Sequence, residues 1–242
     1  EQYPEVIESL SSTGGDPTKI AHSLRSRLAL RAFQRTAAYD AAVSSELDNR
    51  IMGEEVPTKV HISTDEGTSL RYGENPHQPA AFYPNAGEKT GLSAALQHGG
   101  KPLSYNNYLD LDGALRLARS LIASGFENDH GCVVIKHTNP CGASVDNTQE
   151  GAWTNALESD PESAFGCVIA FTKPVQKKTA EAIGNHFFEC MIAPGYHPEA
   201  LAALSSKKNR RMLTLQHMGP RQTALSLRQV SGGWLAQAQG PP

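Results

Sequence analysis

The chain has 242 residues, of which 39% are hydrophobic and 19% are charged, so it can form one large domain, or one domain and a fragment of another. Its formal net charge is −3 and its pI is near 6.3. The sequence therefore gives no electrostatic reason to expect nucleic acid or a membrane surface as a partner. The apolar runs have the length of strands and fall far short of the roughly 20 residues that span a bilayer.

The start of the chain and its cysteines predict a cytoplasmic location. The first ten residues, EQYPEVIESL, are acidic and lack a basic segment followed by an apolar stretch, so they do not predict a secretory signal. Cys132, Cys141, Cys167 and Cys190 lie far apart, two of them in apolar runs. This distribution favours reduced, buried thiols over a disulfide framework.

The first half of the chain predicts one long helix and a polar connection. Residues 1–20 are interpreted as a loop, since SSTGGDP supplies turn residues. Apolar residues at four-residue spacing predict a helix over 23–47. Arg27, Arg31 and Arg35 form a basic stripe on this helix, which is either a phosphate-binding face or, as the pattern favours, a solvated surface.

The second half predicts an α/β fold. Residues 48–69 form a polar linker, and 70–83 contain too much glycine and proline for a helix. We expect Asp110 or Asp112 to cap a helix that ends near Gly125. Apolar strands then alternate with helices, which predicts a mainly parallel sheet inside a three-layer α/β/α domain. The predicted strands cover 132–135, 165–171, 191–194 and 211–215, and the predicted helices cover 149–157, a segment after Pro174, and 198–206.

The segment VVIKHTNPCGAS, residues 133–144, places two polar residues directly after an apolar strand. Ligands of open α/β sheets collect beyond the carboxyl ends of the strands, where Lys136 and His137 are expected. A lysine can stabilise developing negative charge, and a histidine can move a proton near neutral pH. From position alone, the pair is either catalytic or an ordinary strand end.

Zinc and cysteine catalysis are two alternatives at the same segment. Nucleobase deaminases need His-x-Glu and Pro-Cys-x-x-Cys. Pro140-Cys141 is followed by no second cysteine at that spacing, and His137 is followed by no glutamate, so we predict no zinc. A Cys141 nucleophile is possible, but nothing in the sequence indicates a lowered pKa for its thiol.

The stretch RYGENPHQ, residues 71–78, is a second candidate site. Arg71 offers a planar fork for a phosphate or carboxylate, and Tyr72 offers a ring face and a hydroxyl. His77 lies in the same short segment. Packing of a tyrosine in a glycine-rich turn is the alternative explanation, but three such groups in eight residues favour binding.

Several segments together resemble one family, in which phosphoribosylaminoimidazolecarboxamide formyltransferase is joined to IMP cyclohydrolase. The segments that carry the resemblance are SLRSRLALRAFQRTAAYDAAV, SLRYGENPHQPAAFY, LSYNNYLDLDGAL, VVIKHTNPCGAS, SDPESAFGCVIAFT and MIAPGYHPEAL. They follow one another in the order of the family and cover nearly the whole chain.

The resemblance implies a reaction and a role for each motif residue. A formyl group would pass from 10-formyltetrahydrofolate to the amine of aminoimidazole carboxamide ribonucleotide, and the product would then cyclise to IMP. His137 would be the proton acceptor and Lys136 would stabilise the transition state. The residues implied as nucleotide contacts are Arg71, Tyr72, Asn107, Gly166 and Glu189.

The resemblance also implies a domain arrangement. Residues 1–50 would be the end of a methylglyoxal-synthase-like cyclohydrolase domain, 51–69 a linker, and 70–242 the first of two cytidine-deaminase-like subdomains without zinc, the second of which is absent. The family implies a cytoplasmic homodimer. Cys167 and Trp234 depart from the smaller residues that the family pattern leads us to expect. A nucleotide-binding or assembly fragment without turnover is the competing hypothesis.

Overall fold

The computed structural model describes residues 2–87, 90–218 and 225–238, which divide into two compact units. The first unit contains the described residues up to Ser63 together with Leu227–Ala238, and the second contains those of Thr64–Ser226. The parts of the predicted 70–242 domain at 88–89, 219–224 and 239–242 lie outside the described residues. Within the described ranges, no helix is both long and apolar enough to cross a membrane.

The first unit begins with two helices, α1 (Tyr3–Ser12) and α2 (His22–Ile51). The predicted loop over the first twenty residues is therefore wrong in part. A proline in the first turn of α1 suits a helix start, and Val6 and Leu10 lie half-buried one turn apart. These local helix signals outweigh the first turn residues, Ser11 and Ser12, and the turn begins only at Thr13.

The long helix α2 confirms the predicted helix over 23–47 and extends it at both ends. Leu24 is its buried residue. Arg27 of the basic stripe forms an ion pair with Glu5 of α1, and Arg31 and Arg35 are exposed. This arrangement fits a phosphate-binding face and a solvated surface equally well, so both interpretations of the stripe stay open.

The second unit contains a short hairpin and a six-stranded sheet. Strands β1 (Thr68–Leu70) and β2 (Ala80–Phe82) form the hairpin. The sheet has the order β3-β8-β7-β6-β4-β5. Its strands are β3 (Leu96–Gln97), β4 (His130–Lys136), β5 (Asn139–Asp146), β6 (Cys167–Phe171), β7 (Phe188–Ala193) and β8 (Arg211–Thr214).

The expectation of a mainly parallel sheet is wrong, because the sheet is mixed. The β6–β7 and β7–β8 pairs are parallel, while β3–β8, β4–β5 and β4–β6 are antiparallel. The unpredicted strand β5 accounts for one antiparallel pair, and it begins with Asn-Pro-Cys-Gly, a run that resembles a loop. A hairpin connection to β4 places β5 beside it in the opposite direction.

Helices cover both faces of this sheet. The long α3 (Tyr105–Leu121) packs on Val133 and Ile135 of β4, whereas α4 (Gln149–Glu158), α5 (Lys177–Ile183) and α6 (Pro198–Ser205) belong to a cluster that contains Cys132 and Val134. Alternate residues of β4 thus face opposite layers. The predicted helices at 149–157, after Pro174 and at 198–206 are confirmed, and so is the three-layer arrangement.

The start of α3 differs from the prediction. Ser104 is its N-cap, and Ser104 and Asn107 form a reciprocal capping box in which each side chain accepts a backbone N–H of the other residue. Asp110 and Asp112 lie inside the helix, so neither caps it. The predicted end is confirmed, since Gly125 adopts a positive φ of 92° just after the last turn.

The last described residues form a two-stranded hairpin of β9 (Leu225–Val230) and β10 (Gly233–Ala238). Trp234, one departure from the family pattern, is 55% exposed in β10. Cys167, the other departure, is fully buried, and its Sγ lies 3.9 Å from Nε2 of His186. The larger residue at 167 is therefore accommodated in the core.

All four cysteines are free. Cys132, Cys167 and Cys190 are fully buried, and Cys141 is half-buried. Burial raises the pKa of Cys167 and of Cys190 to about 12 and that of Cys132 well above its ordinary value. The prediction of buried thiols is thus confirmed for these three.

Gly142→Ala should destabilise the second unit strongly. A Cβ at this position would lie 1.9 Å from the backbone oxygen of Ala156, so β5 and α4 would have to separate. Overpacking of this kind typically costs about 1–3 kcal/mol, and a backbone obstacle places the cost at the upper end or beyond it. The urea midpoint of the chain measures the effect. Gly99→Ala is the matched control, because a Cβ there meets nothing within 4 Å; an equal loss in both variants would contradict the prediction.

Iodoacetamide at pH 8 should label Cys141 slowly and leave the other three cysteines unmodified in the folded chain. The reactive species is the thiolate, and burial both hides the other thiols and raises their pKa. Mass spectrometry of tryptic peptides reads out the labelled positions. Cys141→Ser should abolish labelling of the folded chain, whereas unfolding in guanidinium should expose all cysteines. Rapid labelling of Cys167 in the folded chain would show that the core is not closed.

Candidate functional site

The end of β4 is a tight hairpin turn made of two non-glycine residues. β4 ends at Lys136, β5 begins at Asn139, and these two residues pair across the turn. His137 and Thr138 between them have positive φ values of 52° and 62°. Left-handed conformations cost roughly 1–2 kcal/mol per residue with a side chain, and Asn-Gly is the usual sequence of such turns. The turn is therefore strained, and it presents His137 as an exposed side chain.

Hydrogen bonds hold this turn in place. The backbone N–H of Thr138 donates to Oδ1 of Asp110 at 2.7 Å. The Thr138 hydroxyl donates to the His137 carbonyl oxygen at 2.7 Å, and the Asn139 amide donates to the same oxygen at 2.9 Å. Two of these bonds are local, whereas the bond to Asp110 joins the turn to α3.

The residues after the turn complete the segment. The register between β4 and β5 shifts between Val134 and Ile135, which leaves Cys141 as the extra residue of a β-bulge. Burial, reinforced by the nearby Asp160 carboxylate, raises the pKa of the Cys141 thiol, and the Lys136 charge opposes this shift. A raised pKa does not favour the nucleophile interpretation of Cys141.

Gly166 lies at the same end of the sheet. β6 runs antiparallel to β4, and Ile135 pairs with Val168, so the start of β6 lies beside the end of β4. Gly166 comes just before that start with a φ of 77°, and its N–H donates to the Phe187 carbonyl oxygen at 2.9 Å. The structure thus brings Gly166 to the region of Lys136.

The second candidate motif forms the loop of the β1–β2 hairpin. The Arg71 guanidinium donates to the Tyr72 hydroxyl at 2.7 Å, and its central carbon lies 4.6 Å from the centre of the Tyr72 ring. Arg71 is exposed and lines a cleft of about 220 Å³ with Leu103 and Tyr108. His77 is exposed in the same loop. An exposed guanidinium beside an aromatic ring is suited to bind an anionic ligand.

One helix end joins the two motifs. Asn106 of α3 donates through Nδ2 to the backbone oxygen of Glu74 in the Arg71 loop, at 3.5 Å. One turn later, Asp110 accepts from Thr138. Four residues of an α-helix rise only about 6 Å, so the two motifs, which are far apart in the sequence, are held by neighbouring turns of α3.

Asn107 and Glu189 have structural partners. Asn107 is buried in the capping box of α3. The Glu189 carboxylate forms an ion pair of 2.7 Å with Arg211, a side chain that is only 9% exposed. A second cleft, of about 310 Å³, lies against α3 and β2 and contains none of the predicted site residues. The ligand roles of Asn107 and Glu189 remain predictions.

Sequence reasoning missed the structural position of Asp110. Burial raises the pKa of its carboxyl group, and the N–H of Thr138 and the nearby charge of His137 oppose that shift. Asp110 is one of the two aspartates that the sequence predicts as a helix cap, and no local sequence signal connects it with a turn 28 residues later. In the described ranges, no three histidine, cysteine, aspartate or glutamate side chains converge as a metal site would require.

Two comparisons of the sequence with known proteins agree on one family. The sequence profile of the AICARFT/IMPCHase bienzyme matches residues 1–241. The bifunctional purine biosynthesis protein PurH of Dinoroseobacter shibae is 42% identical to this chain, and the match covers 98% of this chain and 44% of the relative. PurH of Enterococcus faecalis is 41% identical, with the same coverage of both chains. The relative from Desulfitobacterium hafniense is 36% identical over 99% of this chain and 46% of its own length. The chain thus spans less than half the length of these relatives.

One solved structure, Acinetobacter baumannii RibD in form 1, aligns with 45% of this chain and with 35% of the RibD chain, at 20% sequence identity. The TM-score of 0.35 is too low to establish a common fold. The family assignment therefore rests on the sequence matches. With a profile that covers almost every residue and relatives at about two-fifths identity, the chain belongs to the AICARFT/IMPCHase bienzyme family of de novo purine biosynthesis.

Proposed function

We propose that this chain carries the catalytic pair of the formyltransferase, which moves a formyl group from 10-formyltetrahydrofolate to the amine of aminoimidazole carboxamide ribonucleotide. The observation that supports this most directly is the strained turn after Lys136, because it exposes His137 and is tied through α3 to the Arg71 loop. Strained backbone of this kind concentrates at functional sites. In the complete family protein, the formylated product would then cyclise to IMP.

The chemistry needs two groups of this type. The substrate amine is a poor nucleophile, since its lone pair is delocalised into the imidazole ring and the carboxamide. As the amine nitrogen bonds to the formyl carbon, His137 would accept the amine proton and Lys136 would stabilise the negative charge on the formyl oxygen. The resulting tetrahedral intermediate then collapses, and the bond between the formyl carbon and N10 of the folate breaks. N10 takes up a proton, and the folate leaves as tetrahydrofolate.

The ribonucleotide would be held by the second motif. The Arg71 guanidinium suits a phosphate, and Tyr72 adds a hydroxyl and a ring face. Gly166, at the end of the sheet where Lys136 lies, is a further proposed contact. Asn107 and Glu189 are assigned with them by resemblance alone. The reaction proposed uses no zinc, because the deaminase ligand set is incomplete at Cys141.

The proposed domain arrangement follows the resemblance. Residues 1–50 would belong to the methylglyoxal-synthase-like cyclohydrolase domain, and 70–242 to a cytidine-deaminase-like subdomain. The mixed sheet with helices on both faces is compatible with the second assignment. A cytoplasmic homodimer is the proposed form of the complete protein. The competing proposal is a nucleotide-binding or assembly fragment without turnover.

His137→Ala should lower formyl transfer by roughly 10²–10⁴-fold, the usual range for a positioned acid–base group. Lys136→Ala should lower it by roughly 10²–10³-fold, as expected for a donor aimed at a developing oxyanion. The double variant should fall well short of the product of both losses, because residues that act together are not additive. Single-turnover assays measure the rates in a chimera in which this chain replaces the matching segment of the Enterococcus faecalis relative.

Cyclohydrolase activity of the same chimera is the internal control, and it should survive both substitutions. Near-normal formyl transfer by the His137 variant would refute the catalytic assignment of Lys136 and His137. The pair would then be interpreted as an ordinary strand end. Formyl transfer by the chain alone would refute the fragment proposal, whereas binding of the ribonucleotide without transfer would support it.

Arg71→Lys should weaken binding of the ribonucleotide by the chain about tenfold or more, because an ammonium cannot reproduce the planar fork. Isothermal titration calorimetry with the ribonucleotide measures the dissociation constant. Arg116→Lys is the matched control, since Arg116 is exposed on α3 and pairs with Asp112 rather than lining the cleft. Equal affinities of the Arg71 variant and the original chain would remove Arg71 from the proposed site.

A further inference from the structure

We propose that Asp110 is a positioning residue for His137, which it holds through the backbone of the following residue. The proposal rests on the function proposed above and adds a component that the family resemblance did not supply. Its basis is the 2.7 Å hydrogen bond from the Thr138 N–H to the Asp110 carboxylate, which joins α3 to the hairpin turn.

The turn needs an external partner. His137 and Thr138 are consecutive non-glycine residues with positive φ, an arrangement that persists only where surrounding structure stabilises it. The bonds from the Thr138 hydroxyl and the Asn139 amide are local and would move with the turn. The Asp110 carboxylate belongs to another element, so it can fix the turn relative to the rest of the unit.

The helix that carries Asp110 is itself fixed. Its first turn is closed by the Ser104–Asn107 capping box, and Leu111, the residue after Asp110, is fully buried against the sheet. One turn beyond Asp110 lies Gly113, where a Cβ would approach the Thr138 backbone oxygen to 3.6 Å. Positions 110 and 113 share a helix face, so the turn rests directly on α3.

The Asp110 carboxylate also interacts electrostatically with His137. Burial raises the pKa of Asp110, whereas the N–H groups of Thr138 and His137 and the His137 charge favour its ionised form. The Asp110 charge in turn contributes to the raised pKa of the Cys141 and Cys190 thiols.

The test compares Asp110→Asn with Asp110→Ala, and uses Asp112→Asn as the control. Asparagine keeps an acceptor oxygen but loses the charge, while alanine loses both. Asp112 lies on the same helix and pairs with Arg116 instead of the turn. The first readout is the ¹H–¹⁵N spectrum of the folded chain, in which the Thr138 amide signal should follow the ionisation of Asp110, with a midpoint above the ordinary aspartate range.

In the spectrum, Asp110→Ala should remove that titration and expose the Thr138 amide to faster hydrogen exchange. Asp110→Asn should remove the titration but keep protection. The second readout is formyl transfer by the chimera. Asp110→Ala should lower kcat by roughly 10²-fold, the loss expected from a misplacement of about 1 Å, with little change in the KM for the ribonucleotide. Asp110→Asn should recover part of kcat, and the control should match the original protein.

The two readouts separate the possible failures. Unchanged protection of the Thr138 amide in Asp110→Ala would overturn the proposal whatever the activity. Lost protection with full activity would equally overturn the positioning role. An inactive chimera with the original sequence would refute the proposed function, and the amide titration would still decide whether Asp110 holds the turn. If Asp110→Ala does not fold, the isosteric Asp110→Asn carries the test, because a persisting titration of the Thr138 amide would overturn the proposal.

Discussion

The hydrogen bond between the Asp110 carboxylate and the Thr138 backbone is the contact on which the geometry of the site depends. It connects the end of a central strand to the first turns of α3. The same turns contact the Arg71 loop through Asn106. A single rigid element thus sets the relation between a candidate catalytic group and a candidate anion-binding group. Sites placed on rigid elements hold the geometry that catalysis requires more closely than sites on free loops.

The opposite side of the hairpin is fixed by close packing. Gly142 of β5 leaves no room for a side chain against the backbone of Ala156 in α4. The hairpin is therefore held between α3 on one face of the sheet and α4 on the other. The bulge at Cys141 lies between the turn that contacts α3 and the glycine that contacts α4. One extra residue bends a strand and shifts its register, so the bulge allows the hairpin to make both contacts. Asn139, Cys141 and Gly142 of the NPCG segment each have a structural explanation, independent of any zinc site.

The sequence predicted the helices and strands whose signals are local and repetitive. The buried run around Val133–Ile135 and the periodic apolar positions of α3 are such signals, and both elements form. β5 was missed because its first residues resemble a turn, and its strand character depends on pairing with β4. Serine and aspartate are both good helix N-caps, so the sequence alone does not favour Ser104 over Asp110 or Asp112. The place of Lys136 and His137 at the end of a strand could be predicted from the apolar run, but the contact of Asp110 with the turn could not, because that contact is tertiary.

The choice of His-Thr at the turn indicates what the strain is for. Asn-Gly would adopt the same left-handed pair of conformations with little strain, but it would carry no imidazole. With side chains at both positions the turn costs about 2–4 kcal/mol, using the usual cost per residue. The fully buried residues of β4 and the bond to Asp110 offset this cost. An exposed histidine at a strained position is more than folding alone requires, which supports the catalytic role proposed for His137.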